Sequence, residues 1–189
     1  MNYTVDKLFD KIKFQEEALE IGEYENCVFR QCDFSNTNLS EIKFIDSEFI
    51  GSNLSLAVLT KTAFRDIKFN ECKMLGLHFE NCNEFGLAFT FENCQLNHSS
   101  FYKTIIKKTT FNNCQLIEVD FTECELTGSI FENCDLNNAV FNNTTIEKVD
   151  FRTAFNYSID PELNRIKMAK FSIQGIPGLL NKYHIDIES

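Results

Sequence analysis

Tryptophan is absent from this 189-residue chain, proline occurs twice and glycine seven times. A conventional all-β domain draws on Gly and Pro at its hairpins, so their scarcity argues against a succession of tight hairpins. No apolar run is long enough to span a membrane, and none at the N-terminus resembles a secretory signal. The cytoplasm is therefore the expected compartment. Cys-x-x-Cys, Gly-x-Ser-x-Gly and a phosphate-cradling Gly-rich loop are all missing. Basic residues are short in number, with 18 Lys and Arg against 28 Asp and Glu, for a formal net charge of −10. An acidic chain repels phosphates, so direct nucleic-acid binding is disfavoured.

Phenylalanine, by contrast, occurs 20 times, and its spacing is regular. Every fifth residue from Phe111 is large and apolar: Phe111, Leu116, Phe121, Leu126, Phe131, Leu136, Phe141, Ile146, Phe151. The residue two before each is small or β-branched: Thr109, Cys114, Val119, Cys124, Ser129, Cys134, Ala139, Thr144, Val149. Most of what lies between is polar. A helix needs apolar residues at a 3.6 period and a half-buried strand at 2, and five fits neither. The repeat itself is the structural unit.

A second block, Phe29 through Phe79, keeps the same step but is out of phase with the first, because Phe79 and Phe91 are separated by two units plus two residues. The irregular stretch 82–89 predicts a bulge or loop, with Phe85 or Leu87 standing in for the large residue missing at Glu84. Taking every fourth large position gives one column that is all phenylalanine: Phe29, Phe49, Phe69, Phe91, Phe111, Phe131, Phe151. A period of 20 in residue identity is what a square coil of four five-residue sides gives, like residues stacking from coil to coil.

Units such as Cys134-Asp135-Leu136-Asn137-Asn138 resemble those of the pentapeptide repeat family, whose pattern is small-polar-large-polar-polar. The resemblance implies a right-handed quadrilateral β-helix, all-β, with a narrow packed axis and no room for a substrate. Each buried large side chain is then worth roughly 1.5–3 kcal/mol before entropy is set against it. Hexapeptide-repeat acyltransferases form a related-looking helix, but their period of six is absent here.

One domain, 1–189, is expected. Residues 1–23 form an N-terminal cap or degraded first coil, since Phe9, Phe14, Leu19 and Tyr24 keep the step but Lys7, Ile12 and Glu17 are poor small residues. The β-helix follows over 24–173 with its break near 83–90. The Asp160-Pro161 turn interrupts it, and Ile166 and Phe171 return to register. A short helical tail occupies 174–189. There Leu179, Leu180 and Tyr183 share one side of a short helix, while Ile185 and Ile187 alternate as in a strand. These five residues are the candidate contact of a homodimer.

All eight cysteines sit at the small position, which predicts buried thiols rather than a metal site or disulfides. His78, His98 and His184 lie at no ligand spacing from one another, and read as surface residues. Neither a catalytic group nor a cofactor is expected. The Lys103, Lys107, Lys108 cluster reads as solubilising.

What remains is charge. Between Lys108 and Lys148 the chain has no basic residue but carries Glu118, Asp120, Glu123, Glu125, Glu132 and Asp135. These carboxylates are the candidate interaction surface, although on a square coil they wind around the rod. Within the family, the build is similar to the Qnr, McbG and MfpA group, whose members bind DNA gyrase or topoisomerase IV as DNA mimics and protect against quinolones or a gyrase-directed peptide. That similarity implies a non-enzymatic module with gyrase or topoisomerase IV as partner, dimerised by its C-terminal tail. The projecting loops of Gram-negative Qnr proteins have only the short break near 83–90 as counterpart. The alternative is an adaptor with another protein partner.

Overall fold

The computed structural model describes residues 2–188 as a four-sided parallel β-helix, right-handed and quadrilateral. Each turn of the chain advances one coil and presents four sides. Side 1 carries the phenylalanine column, and sides 2, 3 and 4 follow in chain order. Among the described residues, strands form on two sides. On side 4, β1 (Asn2–Val5), β3 (Gly22–Glu25), β5 (Lys43–Ile45) and β7 (Ala63–Arg65) pair in parallel. On side 1 a seven-stranded sheet runs β2 (Leu8–Asp10), β4 (Val28–Arg30), β6 (Glu48–Ile50), β8 (Ile67–Asn70), β9 (Phe89–Glu92), β10 (Thr110–Asn112) and β11 (Ile130–Glu132). Elsewhere adjacent coils meet through single bridges such as Gln95–Gln115 and Asp120–Val140. Pairing is in register, Phe29 with Phe49 and Phe111 with Phe131.

This register makes like residues stack. Along side 1 the rings run unbroken from Phe9 to Phe171, nearly parallel, with centroids between 4.7 Å (Phe9–Phe29) and 5.4 Å (Phe151–Phe171) apart. That step is the inter-strand spacing of about 4.8 Å. The rings fill the axis, and the phenylalanines from Phe29 to Phe151 on this side are essentially inaccessible to solvent.

Most units turn their corner with the residue two after the large one, which adopts a left-handed backbone: Asn26, Gln31, Asn36, Glu41 and Asp46, then Asn113, Glu118, Glu123 and others along the rod. Asn, Asp and Gly tolerate this region best. Their recurrence there is why tight corners form without proline.

At the N-terminus the first coil is present as paired backbone, β1 on β3 and β2 on β4. Gly22 stands in its small position because a Cβ there would lie 2.5 Å from the Asn2 carbonyl.

The break resolves differently from the sequence expectation. Phe85 is 73% exposed, its ring under the Arg65 guanidinium at 5.2 Å, and Leu87 is half-buried. Phe89 takes the vacant core volume, with ring centroids 5.4 Å from Phe79, 5.4 Å from Phe91 and 5.9 Å from Phe64. The reason is register: β9 pairs Phe89 with Ile67, the inward small position of side 1. The two extra residues bulge outward instead.

The C-terminal coil closes with Asn164 in a small position. Its amide donates to the Phe141 and Asp160 carbonyls at 2.8 and 2.9 Å and accepts the Thr144 N–H at 2.9 Å. The tail then lies over this end. Helix α1 (Pro177–Leu180) brings the Gly178 carbonyl to the Ile159 N–H at 2.9 Å. A side chain at Gly175 would collide with the Tyr157 hydroxyl, and one at Gly178 with the Tyr157 carbonyl. Among the described residues, no helix is long and apolar enough to cross a membrane.

Candidate interaction surface

The interior is filled by packed, buried side chains. Several of its small positions are hydroxyls and thiols bonded to the backbone one coil earlier, as in Ser52 to the Phe29 carbonyl (2.9 Å) and Cys72 to the Phe49 carbonyl (3.3 Å), and others are aliphatic, as Val119 and Ala139. Seven cysteines are buried; Cys82, at the break, is half-buried. Burial pushes the Cys124 thiol up to about 12, and raises those of Cys27 and Cys32 as well. High thiol pKa values make weak nucleophiles. Among the described residues no three His, Cys, Asp or Glu side chains gather as a metal site.

The outer positions decide what the rod can meet. The structure distributes the six candidate carboxylates around all four sides. Glu118 lies at the corner of sides 2 and 3, with His98 Nδ1 3.1 Å away. Asp120 lies on side 3 and accepts the Thr122 N–H at 2.8 Å. Glu123, at the next corner, pairs with Lys103 at 3.5 Å. Glu125 on side 4 lies 3.9 Å from Lys107 and accepts the Thr127 N–H. Asp135 on side 2 accepts from the Asn137 N–H and the Asn156 amide. Glu132, beside side 1, makes no ion pair among the described residues. Two of the six, Glu123 and Glu125, therefore face a lysine one coil away, which offsets their field at short range.

Carboxylates that make no ion pair among the described residues collect elsewhere, although Lys68 is the in-register neighbour of Glu48. Along one edge of side 1, Asp46 and Asp66 occupy successive left-handed corners. Glu48 stands on the side itself, and Glu71 and Glu92 follow the opposite edge toward Glu132. Lys68 sits among them on β8 and is exposed. The sequence reading missed this edge because it searched for acids consecutive along the chain. The usable signal was the offset of 20 residues, which separates Asp46 from Asp66 and Lys103 from Glu123.

At the C-terminal end Leu179 packs against the core, and Leu180 is half-buried. Tyr183, Ile185 and Ile187 are exposed, and no strand forms at the last two. Lys182 anchors the tail, its ammonium 2.7 Å from Asp160 and 2.6 Å from Glu162, while the Tyr183 hydroxyl donates to Glu162 at 2.9 Å.

Comparison with known proteins agrees with this architecture. The family model described as a pentapeptide repeat region matches residues 23–101 and 88–154. Two solved structures of trypsin-treated QnrB1 variants, described as a plasmid-mediated fluoroquinolone resistance protein, are similar in fold. One aligns over 100% of both chains at 16% identity and a TM-score of 0.66. The other covers 98% of this chain and 97% of its own at 17% identity, also with a TM-score of 0.66. None of the curated protein sequences compared with the chain matches it. The chain belongs to the pentapeptide repeat family.

Proposed function

We propose that the protein is a non-enzymatic interaction module that docks its rod onto DNA gyrase or topoisomerase IV in the manner of a DNA mimic. The observation that carries this reading is the set of carboxylates bordering side 1 that make no ion pair among the described residues: Asp46, Glu48, Asp66, Glu71, Glu92 and Glu132. They flank the rod's longest sheet, a surface of seven strands paired in parallel. Such a surface suits a basic saddle built for duplex DNA, where charge complementarity guides encounter. The QnrB1 fold and its description as a fluoroquinolone resistance protein support the choice of partner.

The test is gyrase supercoiling with and without a quinolone, together with direct binding at rising salt. Binding should weaken steeply with salt, compete with duplex DNA, and fall when Glu48, Glu71, Glu92 and Glu132 are changed together to Gln. Salt-insensitive binding that tolerates all four changes would instead assign the rod an adaptor role. The local pairing of Glu123 and Glu125 favours that second reading.

The same proposal includes a homodimer through the tail, resting on the exposed Tyr183, Ile185 and Ile187 beside the last coil. Light scattering on the full chain should give twice the monomer mass, and Ile185→Asp with Ile187→Asp should halve it. A native chain that is monomeric at high micromolar concentration contradicts the dimer.

A further inference from the structure

Four cysteines occupy one inward column on side 2 in four successive coils: Cys72, Cys94, Cys114 and Cys134. All four are at most 2% exposed, and all are free thiols. Each points the same way, since each Sγ donates to a side 1 carbonyl one coil earlier: Phe49 at 3.3 Å, Phe69 at 3.4 Å, Phe91 at 3.6 Å and Phe111 at 3.3 Å. The other cysteines lack this company. Ser47 lies one coil from Cys27, Ser52 one coil from Cys32, and Thr104 and Thr144 one coil either side of Cys124.

The coil step beside the column can be read from the neighbouring phenylalanine rings. It is 5.3 Å from Phe69 to Phe91, 5.0 Å from Phe91 to Phe111 and 4.7 Å from Phe111 to Phe131. At this step the Cα atoms of stacked cysteines fall within disulfide range, but their side chains run parallel, and a bond of about 2.05 Å would need both to rotate out of their shared direction and leave their carbonyl partners. Two metal–sulfur bonds of about 2.3 Å laid end to end, however, span about 4.6 Å. An ion on the line between two stacked sulfurs therefore meets both without moving either coil appreciably. Since the side chains point inward across the rod and that line runs along it, the angle at each sulfur is close to a right angle, as thiolate ligands accept.

We infer that the column is a site for a soft divalent ion of linear two-thiolate preference, mercury(II) being the probe, bound once between Cys72 and Cys94 and once between Cys114 and Cys134. Soft thiolates select soft ions. Charge selects the divalent one: two thiolates cancel its two charges, so the filled site brings no net charge into the core, whereas a monovalent ion would leave one negative charge buried. In each event two S–H bonds break, two S–metal bonds form, and two protons pass to solvent with no change of oxidation state. The proposal is independent of the outer surface and of any partner.

The test loads the full-length protein with mercury(II) during refolding, exchanges it against millimolar glutathione, and counts retained ions by native mass spectrometry. Singly held ions on isolated thiols are lost to glutathione, and bridged ions stay. Two ions per chain are expected. Cys72→Ser with Cys114→Ser leaves no two thiols stacked in successive coils of the column and should retain none; Ser52 shows that the column accepts serine. If circular dichroism shows that variant unfolded, Cys94→Ser with Cys134→Ser removes the adjacency equally. Cys27→Ser with Cys32→Ser should still retain two. A single ion that the adjacency variant loses supports one pair only. Retention of none by the wild type, or of the same number by the adjacency variants, overturns the site.

Discussion

The rod on either side of residues 83–88 is built from the same units but packs its aromatic rings differently. Before the break, side 4 is aromatic: Tyr24, Phe44 and Phe64 stack at 5.8 and 5.4 Å beside the side 1 column, and side 3 is Leu19, Leu39 and Leu59. After it, side 4 is Ile106, Leu126 and Ile146, and side 3 is Phe101, Phe121 and Phe141, a stack that begins with Phe79 just before the break and steps by 4.3, 5.3 and 5.1 Å. The second aromatic column thus moves from a side adjoining side 1 to the side opposite it. Strand pairing on side 4 ends at the same place, with β7. A narrow axis must be filled to near-crystalline density in every coil, so an aromatic leaving one side has to be replaced by an aromatic on another. The break is where the exchange occurs, and Phe89 fills the volume that belongs to neither column.

The largest test of this contrast is Phe121→Ala. Its ring is sandwiched between Phe101 and Phe141 in fixed coils, so the cavity cannot collapse and the loss should be about 3–5 kcal/mol. Phe89→Ala should cost less, about 2 kcal/mol, because half-buried Leu87 lies in an irregular segment able to move inward. Denaturant unfolding of both variants measures the difference. Equal losses would mean that the break is as rigid as the coils.

A pH effect should be confined to the C-terminal end. The hydrogen bond from Lys182 holds the Asp160 carboxyl below its usual range, and Lys182 and Tyr183 do the same for Glu162. A carboxyl depressed by folding contributes fully above its unfolded pKa and loses that contribution as pH falls through the folded value. The tail should therefore loosen below about pH 4 while the coils hold. Hydrogen exchange at Ile159, whose N–H is bonded to Gly178, should accelerate before that of Phe121. Simultaneous acceleration would tie tail and rod into one unit.

Outer positions should respond least, in either half. Asn137→Ala should cost well under 1 kcal/mol. Glu123→Gln, which removes a surface pair with Lys103, should shift stability by less than about 1 kcal/mol in thermal melts.

Much of this was legible in the sequence because side-chain size repeats in step with the chain. The side 1 column from Phe29 to Phe151 and the buried cysteines follow from counting in fives. Phe89 did not, since counting from either side leaves two residues of slack, and only the pairing of β9 with β8 decides which residue turns inward. The left-handed corners were written in the sequence at Asn26, Asn113 and Asn133 but masked by Glu118, Lys103 and Leu56, which adopt the same backbone at some cost. Of the candidate surface, the acids were legible and their neighbours were not. His98 against Glu118 and Lys103 against Glu123 are remote along the chain and adjacent only once the coil is drawn.

The in-register pairing of each residue with the one a full coil away also makes the rod a ruler. A duplicated segment of 20 residues would slide every column past itself and return it to its own kind, Phe on Phe and Cys on Cys, lengthening the molecule by about 4.8 Å without a new contact type. A segment of five would turn everything beyond it by a quarter revolution and set phenylalanine over leucine. Growth of such a chain is therefore quantised in whole revolutions, and the two surplus residues at the break are tolerated because they leave the axis as an outward bulge and add nothing to the count.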